Sequence, residues 1–287
     1  MLRYLESAIN LVESRLVLLA PHAEVPVSLS NVEMDVRRHR QFLREMQKLR
    51  GSVYLHDGAV SREALTPEGL HETVEDEKSW HLLMVNGGHV TGCAWYLEHE
   101  NTVPVDHLRV RHCPLAKLTH WREKLWRAVE SELAMARRND LRYAEVGGWA
   151  VAEDSRCTSE GLVLALAGYS LGRIRGGCLG MTTATVRHCS SSILRRIGGA
   201  SLEADGTALP SYYDPRYKCE MEILRFDSRK LSAKYAGLVE MLCHKLANIR
   251  VIARPSVPIL DTVALSSWSV LDAGRRTRRA AQAALAS

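Results

Sequence analysis

The residues able to do chemistry gather between positions 143 and 199. Glu145 is a carboxylate set in a short, apolar, β-prone run, 143–151. A carboxylate in such surroundings is a candidate for proton transfer. The alternative is an ion pair with Arg142 or Arg225. Gly147 and Gly148 follow it, and two glycines in a strand either let a ligand approach the backbone or form a β-bulge. The polar turn at 156–161 (Arg156, Cys157, Thr158, Ser159, Glu160, Gly161) leads into an apolar helical run. Its free N–H groups make an anion seat, with Thr158 or Ser159 as a plain N-cap the competing use. His188 opens the next helical run, where the helix N-terminus favours the neutral, basic imidazole. A surface or packing role stands beside that reading, and His81 in an earlier hairpin has the same two. Cys178 and Cys189 have no activating partner. On a helix the adjacent His188 points about 100° away from Cys189, so both cysteines read as small core residues.

The elements that position these groups follow from periodicity and turn signals. Residues 143–151 form a strand, 162–171 a helix closed by Gly176 and Gly177, 178–183 a second strand and 186–197 a second helix closed by Gly198 and Gly199. This is a β-α-β-α unit with a parallel strand pair. Upstream, 79–85 and 89–97 flank Asn86-Gly87-Gly88, a strong hairpin signal. Residues 32–49 form a charged helix with Val36, Phe42 and Met46 on one side and arginines outward. A turn is expected at Asp57-Gly58, a loop through the acidic patch 72–77, and a short strand or extended segment over 103–110. Residues 115–138 form a helix with the buried stripe Leu118, Trp121, Leu125, Val129 and Leu133. Beyond the unit come a loop carrying Tyr212, Tyr213 and Asp214, a strand over 217–226, a helix over 232–248, a short strand near 249–253 and a basic tail.

Composition sets outer bounds. The chain has 287 residues, 46% of them hydrophobic, enough for a substantial core. No run of apolar residues reaches a membrane span, and residues 1–20 read as a helical arm rather than a secretory signal. The seven cysteines include no CxxC pair, so neither a disulfide framework nor a zinc knuckle is indicated, and a cytoplasmic setting is the expectation. The net charge of +5 is too small to imply nucleic acid and fits a protein that meets an anionic ligand. The expected organisation is an N-terminal arm, 1–31, available for packing or a homodimer contact; a catalytic domain, 32–230; and a C-terminal helix with the basic tail, 231–287.

The element order resembles the GNAT acyltransferase superfamily. Within it, the central stretch is similar to the acyl-homoserine-lactone synthases and long-chain N-acyl amino acid synthases. Their fourth strand carries E-hydrophobic-S-R-F-A-hydrophobic; here the matching residues are Glu145, Val146, Gly147, Gly148, Trp149, Ala150 and Val151, with glycine at the Ser and Arg positions. Met181-Thr182-Thr183 matches the fifth strand, and the helix ending at Arg196 and Gly198 matches the next one. The hairpin resembles the family's "HLL…G…GC.R" pattern, with Ala94-Trp95 in place of the Arg.

The resemblance implies an α/β fold with a mixed, mostly antiparallel sheet, splayed at a central parallel strand pair and flanked by helices. It implies an N-acyltransferase that moves a fatty acyl group to the amine of a small acceptor such as an amino acid. The donor would be a phosphopantetheine thioester, acyl-CoA or acyl carrier protein, and no metal would take part. The alternatives are an acetyl-CoA-dependent N-acetyltransferase and a non-catalytic binding module. On this reading Glu145 and His188 are the candidate bases, and Tyr213 (or Tyr212) protonates the leaving thiolate. The pantetheine arm lies along Val146, Gly147, Gly148 and Trp149, opposite Thr182 and Thr183. Arg156, Thr158, Ser159 and Gly161 occupy the place of the pyrophosphate loop, and His81 and Trp95 line the acceptor pocket. Leu162, Leu166, Met181, Ile193 and Leu194 either bound an acyl pocket or, for most of them, are simple core. Arg173, Arg175, Arg187, Arg195 and Arg196 would steer an acidic carrier protein, with ordinary solvated helix ends as the alternative reading.

Overall fold

The computed structural model describes residues 2–21, 25–156, 158–187 and 189–255. Its helices are α1 (Leu2–Asn10), α2 (Val12–Arg15), α3 (Val36–His56), α4 (Thr119–Arg138), α5 (Glu160–Ile174), α6 (Ser190–Ile197) and α7 (Ala236–Leu246). Its strands are β1 (Leu16–Leu19), β2 (Val32–Met34), β3 (Trp80–Asn86), β4 (His89–His99), β5 (Arg142–Val151) and β6 (Cys178–Thr185). They continue as β7 (Ala200–Ser201), β8 (Glu203–Ala204), β9 (Thr207–Ala208), β10 (Tyr212–Asp214), β11 (Cys219–Asp227) and β12 (Arg250–Ala253). One sheet runs in the order β10-β11-β6-β5-β4-β3-β1-β12-β2, with β7 added beside β11. Antiparallel pairs dominate; β5 with β6, β1 with β12 and β12 with β2 are parallel.

The sheet separates three apolar clusters. On one face, Leu5 and Ile9 of α1, Leu166 and Leu171 of α5 and Leu242 of α7 cover Leu16, Leu82 and Tyr96. On the other, Phe42, Leu43 and Met46 of α3 cover Val17, Leu83 and Cys93. On that same side Leu125, Val129 and Leu133 of α4 cover Tyr143, Leu179, Met181 and Ile223.

The β3–β4 hairpin turns through Gly87 and Gly88, both at positive φ (58° and 85°), the backbone that a two-residue hairpin loop demands. Other segments differ from their sequence reading. Leu16–Leu19, expected in a helical arm, is a fully buried strand; an all-apolar LVLL has no period by which to tell strand from helix. Residues 32–34 are strand, and α3 begins only after Asp35, whose carboxylate accepts from Arg38 N at 2.9 Å as an N-cap. That helix runs on through Gly51 to His56. Residues 103–110 are not strand but successive 3-10 turns, Val105–His107 and Arg109–His112. The basic tail, Cys157 and His188 lie outside the described residues.

The sheet opens at its centre. β5 and β6 pair from Arg142↔Cys178 to Val146↔Thr182 and no further. Beyond that point β5 stays with β4, through Gly147↔Trp95 and Ala150↔Cys93, while β6 stays with β11, through Thr183↔Ile223 and Thr185↔Met221. The register of β4 and β5 shifts between Cys93 and Trp95, so β5 carries one extra residue there. Gly148 sits in this bulge at φ 61°.

Candidate functional site

A cavity of about 730 Å³ enters the splay. Its walls include Val146, Gly147, Gly148 and Trp149 of β5, Thr182 and Thr183 of β6, and Tyr54 of α3. A second, smaller space, almost wholly apolar, adjoins it on the α5 face. The two share Val146, Gly147, Trp149, Thr182 and Leu194; the smaller one is closed by Leu164, Gly168, Tyr169, Leu224 and Phe226. Trp149 lines both spaces, and its Nε1 is buried and makes no hydrogen bond to a described residue.

Gly147 and Gly148 form the bulge and also line the cavity. A Cβ on Gly147 would stand 2.4 Å from Trp95 Cζ2, and one on Gly148 2.2 Å from Trp95 Cδ1. The space the glycines leave is therefore taken by the Trp95 ring, itself buried and capped by the Arg109 guanidinium at 4.9 Å. Three departures from the family pattern, two glycines and one tryptophan, are thus one packing solution.

Glu145 lines the cavity but is tied down. Its Oε2 accepts from His99 Nε2 at 3.1 Å and from Arg109 N at 3.0 Å, and its Oε1 from Val110 N at 3.2 Å. It holds the start of the 3-10 turn Arg109–His112. Neither expected partner pairs with it: Arg142 meets Glu98 and Glu100, and Arg225 meets Glu132.

The turn before α5 is closed by its own side chains. Arg156 meets Asp57 in a two-pronged contact at 3.0 and 3.1 Å, tying the turn to the end of α3. Thr158 Oγ1 accepts from Glu160 N at 3.2 Å, whereas Ser159 makes no side-chain cap. The carboxylate of Glu160, on the helix's first residue, bonds Arg15 and accepts from Thr91 Oγ1 at 3.1 Å. The positive end of α5 therefore already has an anion beside it, and the turn fits a pyrophosphate less well than its sequence implied. Gly161 gives room to Trp149 instead, whose Cζ2 would be 3.3 Å from a Cβ there.

The remaining expected residues divide. Thr182, Thr183, Trp95, Arg156, Thr158, Gly161, Leu162, Met181, Ile193 and Leu194 line the cavity; Leu166 is core. Tyr213 points away and is 55% exposed, while Tyr212 lines the cavity, as alternation along β10 requires. Ser159 and His81 do not line it. Cys178 is buried and its thiol pushed up to about 11 by burial, but Cys189 is exposed at the start of α6 with φ 59° and borders the cavity, against the core reading. The basic set is largely paired: Arg173 with Glu240, Arg175 with Glu98, Arg195 with Glu222, and Arg187 with the Asp57 carbonyl. Among the described residues no group of three or more His, Cys, Asp or Glu is assembled as a metal site, and no helix is long and apolar enough to cross a membrane.

A second polar cluster had no counterpart in the sequence reading. Arg50 of α3, 1% exposed, donates from Nη1 to Asp76 Oδ1 at 2.9 Å and from Nη2 to Asp76 Oδ2 at 2.7 Å. Its Nε donates to His71 Nδ1 at 3.1 Å, and Nη2 also bonds the His71 carbonyl. Asp76 further accepts from Gln47 Nε2 and from Thr73 N. Burial opposes ionisation of Asp76, yet the bonds and charge of Arg50 hold its carboxyl below the usual range. Arg50 and His71 line the cavity on the α3 side. The signal was Arg50's phase: it falls on the same helical stripe as the buried Phe42, Leu43 and Met46.

His81 lies under this cluster, its Nε2 2.8 Å from the Asp76 carbonyl oxygen. Burial lowers its pKa to about 4. The unfolded chain takes up that proton near pH 6.5, and the folded one only near 4. Stability contributed by neutral His81 is therefore complete above about pH 6.5 and is lost as pH falls from there toward 4, on the order of 3 kcal/mol in all. Chemical denaturation at pH 7 and at pH 4.5 should show this loss, and His81→Asn should shrink the difference.

No protein-family model and no curated protein sequence matches the chain. Solved structures do. TofI, determined in a ternary complex with an inhibitor and MTA, is 11% identical over 80% of this chain and 99% of its own, with a TM-score of 0.51. BjaI, a CoA-dependent acyl-homoserine lactone synthase solved with MTA, is 14% identical over 88% of this chain and 99% of its own (TM-score 0.49). FeeM, an N-acyl amino acid synthase from uncultured soil microbes, is 11% identical over 69% and 89% (TM-score 0.43). The likeness is one of fold, a mixed and mostly antiparallel α/β sheet that parts at a central parallel strand pair, as the element order implied.

Proposed function

We propose that this protein is an N-acyltransferase. It takes a fatty acyl group from a phosphopantetheine thioester, on CoA or an acyl carrier protein, and passes it to the amine of a small acceptor such as an amino acid. The observation that carries this reading is the cavity that enters the sheet where β5 and β6 part and adjoins an apolar chamber on the far face.

The chemistry follows from that shape. A pantetheine arm resembles a peptide and can add to the edge of β5 that β6 leaves free after Val146. A backbone N–H of β5 near Trp149 offers a donor to the thioester oxygen. The acyl chain runs into the apolar chamber. The amine comes from the α3 side, its nitrogen forms the amide bond, and the C–S bond breaks to release a thiolate that takes up a proton. Of the cavity carboxylates, Asp57 and Asp214 are each gripped by an arginine and Glu145 by main-chain donors. Those arginines engage both oxygens of Asp57 and of Asp214, whereas Glu75, among the described residues, pairs with Arg109 through Oε2 alone, and its Oε1 is the oxygen we assign to take the amine proton. On this view Glu145 positions the turn that carries Arg109 rather than accepting the proton.

The test is mass spectrometry of lipid extracts from cells making the protein. A new N-acyl species is expected and names both halves of the product. Donor profiling refines it: turnover of acetyl-CoA with no longer-chain product would overturn the fatty-acyl assignment, and no stabilisation by any acyl thioester in a thermal-shift panel would overturn enzyme function.

One residue sets the chamber's depth. Gly168 is buried in mid-α5, yet a Cβ there would meet nothing within 4 Å. Gly168→Ala should stabilise the helix by up to about 1 kcal/mol and leave product length unchanged. Gly168→Leu should fill the chamber and shorten the longest accepted acyl chain by about two to four carbons, read from the product mass profile.

A further inference from the structure

We propose that His71 is a hydrogen-bond donor to a carboxylate oxygen of the acceptor, fixed in that role by Arg50. The inference rests on the N-acyl transfer reading, because it assigns the acceptor's side of the cavity. A histidine in an enzyme cavity is ordinarily taken for a base; here the geometry forbids it.

A guanidinium has N–H groups and no lone pair to offer. Since Arg50 Nε points at Nδ1 of His71 at 3.1 Å, Nδ1 must present its lone pair, and the ring proton resides on Nε2. The arrangement is rigid. The His71 main-chain N donates to the Gln47 carbonyl of α3 at 3.1 Å, its own carbonyl is held by Arg50 Nη2, and Arg50 is locked by Asp76. Gly51 permits this close approach, since a Cβ there would lie 2.3 Å from the Gly69 carbonyl oxygen. Tyr54 meets the imidazole edge-on, with ring centres 5.3 Å apart. Nε2 makes no hydrogen bond to a described residue, and His71 lines the cavity.

The charged groups around the ring agree. Arg50 on α3 and Arg109 on the 3-10 turn both oppose protonation, while Asp76, which favours it, is occupied by Arg50. With burial as the largest cause, followed by Arg50, the imidazole pKa is brought down to about 4. At neutral pH the ring is uncharged, and its one lone pair is already used. It can only give a hydrogen bond. A neutral N–H with a guanidinium nearby suits a carboxylate, which an amino acid acceptor supplies at a fixed distance from its amine.

Long-range proton–nitrogen spectra of the full chain labelled at histidine nitrogen test the first half, with His71 assigned by its absence in His71→Gln. The expected result is an Nε2–H tautomer unchanged between about pH 5 and pH 8; a midpoint between about 6 and 7, or an Nδ1–H tautomer, would overturn it. Kinetics with octanoyl-CoA or octanoyl carrier protein and each standard amino acid test the second half. His71→Ala should raise the acceptor KM roughly tenfold to a hundredfold, and more than it lowers kcat. His71→Gln, whose amide can donate from the place of Nε2, should recover most of that loss. A collapse of kcat in His71→Gln, with loss of the acid limb of the pH profile, would make His71 a base and overturn the proposal. A wild-type protein that forms no N-acyl product overturns the acyl-transfer reading and the acceptor half together, and the tautomer measurement then decides by itself whether Arg50 holds the ring neutral.

Discussion

Asp76→Ala should cost about 3–5 kcal/mol of folding stability, because it strands the nearly fully buried Arg50 guanidinium without its counter-charge. Both side chains are at most 2% exposed, so little solvent screening reduces the effect. The loss compounds: Gln47 Nε2, Thr73 N and Thr73 Oγ1 all bond to the same carboxylate. For a domain of this size the corresponding fall in Tm is about 6–20 °C. Asp76→Asn keeps the volume and some of the hydrogen bonds and should lose less. Replacing both partners, Arg50→Met with Asp76→Leu, should recover part of the single-variant loss, since an apolar pair leaves no buried charge. Thermal and urea unfolding of the four proteins measure this. A loss below about 1 kcal/mol for Asp76→Ala would mean that the ion pair is not what holds the loop at 57–79 against α3.

The second large effect is a coupling. Gly147→Ala should destabilise by about 1–3 kcal/mol through overpacking against Trp95, and Trp95→Ala by about 3–5 kcal/mol through the cavity it leaves. Together they should cost clearly less than the sum, with a coupling of at least about 1 kcal/mol, because the added methyl enters the space the indole vacates. Gly147 is the better probe than Gly148, since the latter's positive φ would add backbone strain to any side chain. Strict additivity in a double-mutant cycle would show that the two sites do not share that space.

These two clusters differ in how far the sequence reveals them. The β-α-β-α order and the hairpin turn can be read from local patterns, because each rests on periods and turn residues that are local; that Val146 to Trp149, Thr182 and Thr183 face one cavity comes from the resemblance and not from those patterns. The meaning of Gly147, Gly148 and Trp95 cannot be read so. Each is visible as a departure from the family pattern, but their contact runs across a strand pair whose register is set by a bulge. Arg50 lies one residue past the charged helix read over 32–49, and His71 and Asp76 lie in the stretch read as a loop through an acidic patch. Charge alone does not say whether a side chain faces water or a partner; only its phase on the helix does. The strand Leu16–Leu19 escaped for a different reason. A strand buried on both faces has no alternation to read, and its partners β3 and β12 lie far along the chain.

That far edge of the sheet also has a history in time. β12 lies between β1 and β2, so the first strands of the described chain are joined only by its last. During synthesis β1 can pair with β3 early, but its other edge stays open, and β2 has nothing to pair with, until residues 250–253 leave the ribosome. Such late, long-range parallel pairing is slow, and an open apolar edge invites the wrong neighbour while it waits. A nascent chain arrested just before Arg250 should therefore hold its central splay and hairpin already formed, yet be the species most prone to associate, with β12 acting as the clasp that ends the hazard.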